Sequence, residues 1–515
     1  MPTLGSFINE GVRLYGDSTA LVFRDRRKSF KEVNERMNRY ANALLGLGLQ
    51  RGDRIALMQY NSDKWIEGFG AQAKIGICTV PVNARLSADE AAWILNDSEA
   101  NAFVFRENLI GLADQIKPMA PTVEHFICVS DGPVEKPDYM LDFDELIAGA
   151  DPADPPVKAE LEDMILMMYT SGTTGKPKGV ISCHDNFTQG MIVNHLVNQL
   201  RDMKKGDKYL AVTPLTHMAH GFVWPTWIRG GTTVILDQFN PEEYLRTIEK
   251  EKINYSILAP TLIIMLSEHP AAGRYDLSSL KLIWYAASPM PTAAARRAVE
   301  VFGPVFAQMY GLTENQMVCT MLLPEDHLKK PGSCGHVMVN CEVRVVGKDG
   351  RELPPGEPGE LVIRTPGIMK GYWKNPVATR DTLVNGWLHS GDIGRMDEDG
   401  YFYIMDRKKD MIISGGFNVY PAEVEDCLFE HPAVQAACVI GVPDPKWVEA
   451  VKAVVVLRPG DRVTAEELIQ HCKNRIAHFK APKTIDFVED LPVSATGKVL
   501  RRVVREKYTR LGVNY

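Results

Sequence analysis

The sequence predicts an α/β fold that continues into a smaller unit of mixed type. Buried strands alternate with amphipathic helices in the first part of the chain, as at RIALMQ (54–59) and CTVPVN (78–83), and this alternation is typical of parallel sheets. After about residue 340 the pairs Asp349-Gly350 and Pro358-Gly359 separate short β runs, which indicates antiparallel hairpins. With 515 residues the chain is too long for one compact core, so two or more domains are expected.

Local patterns justify the individual elements of the first part. Apolar residues at helical spacing, from Phe30 to Leu44, predict a helix that ends near Gly46. Ser87 and Glu90 have the spacing of a capping box and predict the start of another helix. Strand-like runs recur at NAFVF (101–105), KYLAVTP (208–214), TTVILDQ (232–238), INYSIL (253–258) and KLIWYAAS (281–288).

The last part of the chain, beyond about residue 410, combines both kinds of element. A helix is predicted to begin at Pro421, because proline is favoured in the first helical turn. AVKAVVVL (450–457) predicts a strand, and Thr464 with Glu467 predicts another capped helix.

Composition narrows the function classes. Hydrophobic residues make up 45% of the chain, and the net charge is -7. Nucleic acid is therefore not expected as the main partner, since binding phosphates requires a basic surface. The nine Cys form no pattern with zinc spacing, and their odd number suits a reducing cytosol. The sequence shows neither the pattern of a signal peptide nor an apolar run that could span a bilayer, so a cytoplasmic protein is expected.

The strongest local signal is the loop YTSGTTGKPKG (169–179). Its glycines, hydroxyl side chains, backbone N–H groups and two lysines can all face an anion, which suits a polyphosphate. It is not a Walker A loop, because Pro177 follows Lys176 where that motif has Ser or Thr. A polyphosphate is therefore the predicted ligand of this loop.

This loop and six later segments resemble, in order, the signatures of adenylate-forming enzymes. That superfamily comprises acyl-CoA synthetases, peptide adenylation domains and beetle luciferases. The six segments are PLTHMAHG (214–221), YAASPMP (285–291), QMYGLTE (308–314), GWLHSGD (386–392), DRKKDMIISGGFNVYPAEVE (406–425) and LPVSATGK (491–498). The resemblance covers nearly the whole chain. It implies that a carboxylate attacks the α-phosphate of ATP to give acyl-AMP and pyrophosphate, and that a thiol then displaces AMP.

The resemblance also implies a set of nucleotide contacts. Tyr310 would stack on adenine, Asp392 would accept both ribose hydroxyls, and Arg407 would contact ribose or phosphate. The other nucleotide-binding candidates are Thr170, Ser171, Gly172, Thr173, Thr174, Gly175, Lys178, Ala287, Ser288, Met309 and Gly311.

Catalysis of the first step needs cations where two anions meet. By resemblance, Lys498 would bridge the substrate carboxylate and the α-phosphate, and Thr313 would hydrogen-bond the phosphate. Glu314 would bind Mg²⁺, with the Thr170 hydroxyl as a further ligand, because magnesium prefers oxygen donors and keeps its waters. ATP, Mg²⁺ and coenzyme A are the implied cofactors and substrates.

The second step would require the C-terminal part to reorient. By resemblance the hinge lies at Lys409, and the Ser414-Gly415-Gly416 loop would then line the tunnel for the thiol arm. Contacts to coenzyme A would come from Arg85, Trp447, Phe479 and Lys483. The chain departs from that pattern twice, with Ala481 in place of a further Arg and Val448 in place of a Gly.

The acyl pocket is expected to be apolar. By resemblance its residues are His217, Met218, Ala219, Ala286 and Met309, with Trp284 and Met317 nearby. The relatives that activate amino acids have an Asp in this segment, which holds the substrate ammonium. No Asp occurs between Pro214 and Gly221 here, so the resemblance disfavours an α-amino acid. An aromatic acid and a fatty acid both remain open.

The predicted fold is a large N-terminal domain (1–405), a hinge (406–410) and a small mobile α+β C-terminal domain (411–515). The large domain would contain two α/β subdomains and a small β-barrel-like one. The predicted function is ATP-dependent ligation of an apolar, non-amino carboxylic acid to coenzyme A. An acyl-AMP ligase that loads a carrier protein is one alternative, and a non-catalytic nucleotide-binding regulatory protein is another. Homodimers are common among such enzymes.

Overall fold

A computed structural model describes residues 2–170, 176–286, 290–316, 318–408, 410–493 and 499–511. Four β-sheets organise these residues: two large mixed sheets, a small antiparallel sheet and the sheet of the C-terminal unit. The predicted α/β fold class, with a large N-terminal and a small C-terminal part, is confirmed.

The first large sheet has nine strands and is parallel at its centre. In spatial order they are His336–Val337, Thr320–Leu322, Phe306–Tyr310, Leu282–Tyr285, Tyr255–Leu258, Lys208–Ala211, Thr232–Ile235, Thr19–Phe23 and Arg26–Ser29. The pairings between Phe306–Tyr310 and Thr19–Phe23 are all parallel, whereas the outer strands pair antiparallel. Parallel strands that end at one edge of a sheet bring their following loops together there.

The second large sheet has eight strands. In spatial order they are Gly371–Tyr372, Lys178–Cys183, Met164–Thr170, Cys78–Pro81, Arg54–Met58, Ala102–Arg106, His125–Val129 and Met140–Asp142. The two-residue strand Gly371–Tyr372 comes from much later in the chain and pairs antiparallel with Lys178–Cys183. This pairing places Tyr372 beside the strands that flank the predicted phosphate loop.

Helices fill the space around the two large sheets. They are Leu4–Tyr15, Phe30–Gly46, Asp63–Ile75, Ala88–Asp97, Ile110–Ile116, Phe143–Ala148, His184–Phe187, Asn194–Val197, His220–Ile228, Pro241–Glu251, Pro260–Glu268, Thr292–Phe302 and Pro376–Thr382. A π-helical turn, Thr188–Val193, joins two of them. Every residue of Asp63–Ile75 is buried, which is typical of a helix enclosed on all sides. The largest apolar cluster connects this helix with both sheets.

The predicted capping boxes form. The Ser87 hydroxyl accepts a hydrogen bond from the Glu90 backbone, while the Glu90 carboxylate accepts one from the Ser87 backbone. Thr464 and Glu467 make the same reciprocal pair at the start of Ala465–Lys473. Each cap satisfies N–H groups that a helix terminus otherwise leaves free, and is worth about 1 kcal/mol.

The hairpins predicted after about residue 340 form the small antiparallel sheet. Its strands are Glu342–Val346, Gly359–Arg364, Leu383–Val384, Trp387–Met396 and Phe402–Arg407. Its apolar face includes Val345, Leu361 and Leu388. The sheet matters for the site because Asp392 and Arg407 lie directly opposite each other on its last two strands.

The C-terminal unit contains a sheet of five strands and three helices. The strands are Ile412–Ser414, Phe417–Val419, Val434–Asp444, Val448–Leu457 and Thr484–Phe487, and the helices are Pro421–Phe429, Ala465–Lys473 and Arg501–Leu511. Pro421 begins its helix as predicted. The described part of the chain contains no helix that is both long and apolar enough to cross a membrane.

Candidate active site

Two strands hold the ends of the predicted phosphate loop. Thr170 ends the strand Met164–Thr170 and lies opposite Lys178, the first residue of Lys178–Cys183. Each residue is therefore fixed by the ladder of the second sheet. The five residues between Thr170 and Lys176, which are Ser171 to Gly175, lie outside the described residues.

Lys178, Tyr372 and Glu314 form a connected group beside this loop. The Lys178 ammonium lies 4.1 Å from the centre of the Tyr372 ring, a distance at which the ring attracts a cation. The Tyr372 hydroxyl donates a hydrogen bond to Glu314 Oε1 at 2.9 Å. Burial and the Glu314 charge both raise the pKa of Tyr372, so it remains a donor. The group therefore joins a cation and a carboxylate through one aromatic residue.

Glu314 and Thr313 lie in the short 3-10 turn Thr313–Asn315, just after the strand Phe306–Tyr310. The turn is fixed by the Asn315 side chain, which accepts a hydrogen bond from the Leu312 backbone at 2.7 Å. The backbone carbonyl of Glu314 accepts a hydrogen bond from Met369, in the segment that leads to Tyr372. Glu314 is thus held by main-chain and side-chain contacts to the same later segment.

Asp392 is the centre of a second group. The Tyr310 hydroxyl donates a hydrogen bond to Asp392 Oδ2 at 2.8 Å, and Arg407 Nε lies 3.3 Å from Asp392 Oδ1. Asp392 is buried, whereas Tyr310 and Arg407 are partly exposed. Burial, together with the Asp392 charge, raises the pKa of Tyr310. Gly311 follows Tyr310 directly after the end of the strand, so the next position carries no side chain.

The acyl-pocket candidates lie on neighbouring strands and one helix. Trp284 pairs with Ala307 and Tyr285 with Gln308. Because side chains alternate along strands, Ala286 and Met309 lie on the same face as Trp284 and Ala307. Ala286, Met309 and Ala219 are buried, and Met218 is partly buried next to the start of the helix His220–Ile228.

His217 is linked to the predicted coenzyme A residue Arg85 by Asn83. Asn83 Nδ2 donates to His217 Nε2 at 3.3 Å, while Asn83 Oδ1 accepts a hydrogen bond from the Arg85 backbone at 3.0 Å. Burial lowers the pKa of His217, so its ring is neutral and can accept. Asn83 was not among the predicted site residues, although it stands two positions before Arg85.

The other coenzyme A candidates cluster in the C-terminal unit. The Gly415 N–H donates to the Trp447 carbonyl at 2.8 Å, and Lys483 Nζ lies 5.3 Å from the centre of the Trp447 ring. Phe479 packs against Phe417 with ring centres 4.7 Å apart. Ser414 pairs with Val448, and Gly416 is exposed beside it. Arg85 is exposed in the N-terminal part of the chain.

Several predicted residues cannot be placed. Lys498, the hinge residue Lys409, Ala287, Ser288 and Met317 lie outside the described residues. Among the residues that the structure does describe, no group of three or more His, Cys, Asp and Glu side chains could hold a metal ion.

Comparison with known proteins identifies the family. The model of the AMP-binding enzyme family matches residues 8–373, and that of its C-terminal domain matches residues 423–498. The chain belongs to the AMP-binding enzyme family. The predicted resemblance to adenylate-forming enzymes is thereby confirmed.

Individual relatives of this family member cover almost its full length. A feruloyl-CoA synthase from Amycolatopsis sp is 37% identical over 98% of this chain and 99% of its own. The medium/long-chain-fatty-acid–CoA ligase FadD8 of Mycobacterium tuberculosis is 34% identical over 98% of this chain and 90% of its own. The solved structure of the anthranilate CoA ligase AuaEII with anthranoyl-AMP superposes with a TM-score of 0.91, at 29% identity, over 99% and 98% of the two chains.

Proposed function

We propose that this member of the AMP-binding enzyme family is an ATP-dependent acyl-CoA ligase. In the first step a carboxylate oxygen attacks the α-phosphorus of ATP, the bond to the β-phosphate bridging oxygen breaks, and pyrophosphate leaves. In the second step the thiolate of coenzyme A attacks the acyl carbon and AMP leaves. The relatives described above are CoA ligases for aromatic and for fatty acids, which supports this reaction type.

The single observation that carries the proposal is the buried Asp392 between Tyr310 and Arg407. One oxygen of its carboxylate accepts from the Tyr310 phenol, and the other lies beside the Arg407 guanidinium. One nucleoside could therefore contact all three side chains. A carboxylate that accepts two hydrogen bonds from vicinal hydroxyls suits a ribose. The Tyr310 ring, fixed by its hydroxyl, offers a flat face for a base.

The Lys178–Tyr372–Glu314 group would serve the triphosphate. Lys178 lies over the ring of Tyr372, whose hydroxyl donates to Glu314, and cations stabilise the charge on departing pyrophosphate. Glu314 would hold Mg²⁺, with Thr170 as a second oxygen donor. The oxygen chemistry of these residues fits the ion, and the ion would supply neutralising charge to the phosphates.

Lys498 would bring the ammonium that lies between the two reacting anions. His217, which burial keeps neutral and which accepts a hydrogen bond from Asn83, would stand at the mouth of the acyl pocket without adding a competing charge. Arg85, Trp447, Phe479 and Lys483 would contact the nucleotide end of coenzyme A. Lys409 would be the hinge between residues 1–405 and 411–515.

A thioester assay tests the proposal. Purified protein, ATP, Mg²⁺ and coenzyme A are incubated with benzoic, cinnamic and C2–C16 fatty acids, and acyl-CoA and AMP are measured. Acyl-CoA formation with at least one acid is expected. Acyl-AMP that accumulates and transfers only to a carrier-protein phosphopantetheine would replace the proposal with the carrier-loading alternative. Absence of ATP–pyrophosphate exchange with every acid would contradict it.

Lys498→Ala separates the two steps. The variant is expected to lose ATP–pyrophosphate exchange by at least about a hundredfold, as expected for a charge aimed at the transition state. It should still convert preformed acyl-AMP into thioester. Lys348→Ala, on an exposed hairpin turn, is the matched control and should retain both activities.

A further inference from the structure

Gln199 places a polar side chain against the predicted acyl pocket. It lies just after the helix Asn194–Val197 and is only 4% exposed. Its Nε2 lies 3.7 Å from the sulfur of Met309 and 3.5 Å from the sulfur of Met338. Thioether sulfurs are weak acceptors, so the amide is poorly satisfied on its donor side. Its Oε1 has no hydrogen-bonding partner among the residues that the structure describes.

Two further buried polar atoms lie in the same apolar surroundings. Trp284 is on the strand face that carries Ala286, and its Nε1 has no partner within the described part of the chain. Phe222 stacks on Trp284 with ring centres 4.5 Å apart and meets His195 edge-on at 4.6 Å. His195 is fully buried, and its Nε2 is likewise unpartnered within the described residues.

Such atoms are costly in a protein interior. Leaving one buried donor or acceptor unpaired costs about 1–3 kcal/mol, and nearly all buried polar side-chain atoms in proteins have a partner. A leucine would fill a similar volume at position 199 without this cost. The polar atoms beside Met309 and Ala286 therefore suit a ligand that brings its own hydrogen-bonding group into the pocket.

We propose that the acid carries a hydroxyl group at the end far from its carboxylate, and that Gln199 recognises this hydroxyl. A hydroxyl is both donor and acceptor, so it can donate to Gln199 Oε1 and accept from an N–H such as Trp284 Nε1. The proposal rests on the proposed acyl-CoA ligase function and names its substrate class. It differs from the expectation of an apolar acyl group, because Gln199 borders Met309.

Pairs of acids that differ by one hydroxyl test this proposal. The full-length protein is assayed for thioester formation with cinnamic and 4-hydroxycinnamic acid, and with octanoic and 8-hydroxyoctanoic acid. At least about a tenfold higher kcat/KM for the hydroxylated member of one pair is expected, since sites built to bind a hydroxyl reject analogues that lack it. Which pair shows the preference distinguishes an aromatic from an aliphatic acid. Equal kcat/KM within both pairs would overturn the proposal while leaving the ligase function intact.

Variants assign the preference to residues. Gln199→Leu should abolish the preference, because kcat/KM for the hydroxylated acid falls while kcat/KM for the unhydroxylated acid is kept or raised. Trp284→Phe keeps an aromatic ring without the N–H, and should reduce the preference even if Gln199→Leu does not fold. Gln470→Leu, on the exposed side of Ala465–Lys473, is the control. A preference for the hydroxylated acid that persists in both pocket variants would contradict the assignment to Gln199 and Trp284. If the wild-type protein shows no ATP–pyrophosphate exchange with any acid, the proposed ligase function is overturned as well.

Discussion

Trp447 lies directly against Gly415, so closely that a Cβ atom added to Gly415 would lie 2.8 Å from Cε3 of the indole. The backbone at Gly415 has φ +59°, which other residues rarely adopt. The glycine is therefore required both by its conformation and by its neighbour. Both residues belong to the predicted coenzyme A surface. The contact therefore connects the Ser414-Gly415-Gly416 loop with the indole ring that would contact the nucleotide end of coenzyme A.

Gly415→Ala is expected to slow thioester formation by at least about tenfold, because a Cβ–indole contact below 3 Å must displace Trp447 or the loop. ATP–pyrophosphate exchange should be unchanged. The two rates are measured separately, with preformed acyl-AMP for the second. Gly460→Ala is the matched control: its φ is +88°, but its added Cβ would meet nothing within 4 Å. If both variants slow transfer equally, the contact with Trp447 is not the cause.

Val448→Gly is expected to stabilise the protein. Val448 has φ +70° and is 71% exposed, so a β-branched side chain occupies a strained conformation without burying itself. The left-handed conformation costs about 1–2 kcal/mol, of which the greater flexibility of glycine in the unfolded chain offsets about half. A net gain of about 0.5–1 kcal/mol in the free energy of unfolding should appear in urea denaturation.

Val377→Gly provides the comparison for this gain. Val377 is also exposed but lies in the helix Pro376–Thr382, where glycine should cost up to about 1 kcal/mol. A loss of stability in Val448→Gly as large as in Val377→Gly would show that the strain at Val448 has no energetic weight.

Arg501→Met is expected to weaken the attachment of the last helix. Arg501 Nη2 lies 2.8 Å from both oxygens of Glu425, and its Nη1 lies 3.4 Å from Asp406 Oδ1. Removing the guanidinium leaves partly buried carboxylates without their partner, at a cost of about 3 kcal/mol. Since Arg501 follows Lys498 by three positions, ATP–pyrophosphate exchange should fall as well.

Thermal unfolding and exchange kinetics measure these two effects. Arg502→Met is the control, because the Arg502 side chain is 74% exposed and pairs with Glu506 on the same helix. That surface pair is worth less than about 1 kcal/mol. If Arg501→Met destabilises the protein but leaves ATP–pyrophosphate exchange unchanged, the ion pairs of Arg501 stabilise the last helix without contributing to the function proposed for Lys498.

Stability is expected to fall as the pH falls below about 6.5, the ordinary pKa of histidine. Burial lowers the pKa of His184, His195 and His220 to about 4 in the folded protein. Between these two values the unfolded chain binds protons that the folded chain does not. Their contribution is therefore complete above about pH 6.5 and is lost towards pH 4, with a slope of about 1.4 kcal/mol per pH unit for each group.

His184→Gln should remove one of these three titrations. The pH dependence of the free energy of unfolding, measured between pH 5 and 6, should become shallower by up to about 1.4 kcal/mol per unit. His478→Gln, on the exposed surface of the C-terminal unit, is the matched control. Identical slopes in the wild type and both variants would contradict a neutral, buried His184.

The sequence was sufficient for elements whose signal is local. The capping box at Ser87, the helix start at Pro421 and the runs that became Tyr255–Leu258 and Leu282–Tyr285 are all set by neighbouring residues. Their boundaries shortened by a few residues, because only the paired part of an apolar run forms a strand. The resemblance also selected Tyr310, Asp392 and Arg407, which the structure brings together.

The residues that were missed depend on pairing between distant segments. Tyr372 belongs to a two-residue strand with no periodicity of its own, and it reaches Glu314 only because that strand joins the second sheet. Gln199 follows a π-helical turn and short helix, so helical spacing along that segment gave no guide to which side chains face the pocket. Asn83 was missed for a different reason. Its position two residues before Arg85 can be read from the sequence, but its contact with His217 cannot.

The late arrival of the strand Gly371–Tyr372 has a consequence for synthesis of the chain. The predicted phosphate loop and its two flanking strands are translated before residue 184, yet the strand that pairs with the outer edge of Lys178–Cys183 consists of residues 371 and 372. Domains generally fold as their residues leave the ribosome. In this chain the Lys178–Tyr372–Glu314 group cannot assemble on a nascent polypeptide until more than two thirds of it has emerged, so a partial translation product retains an unpaired strand edge and no complete nucleotide site.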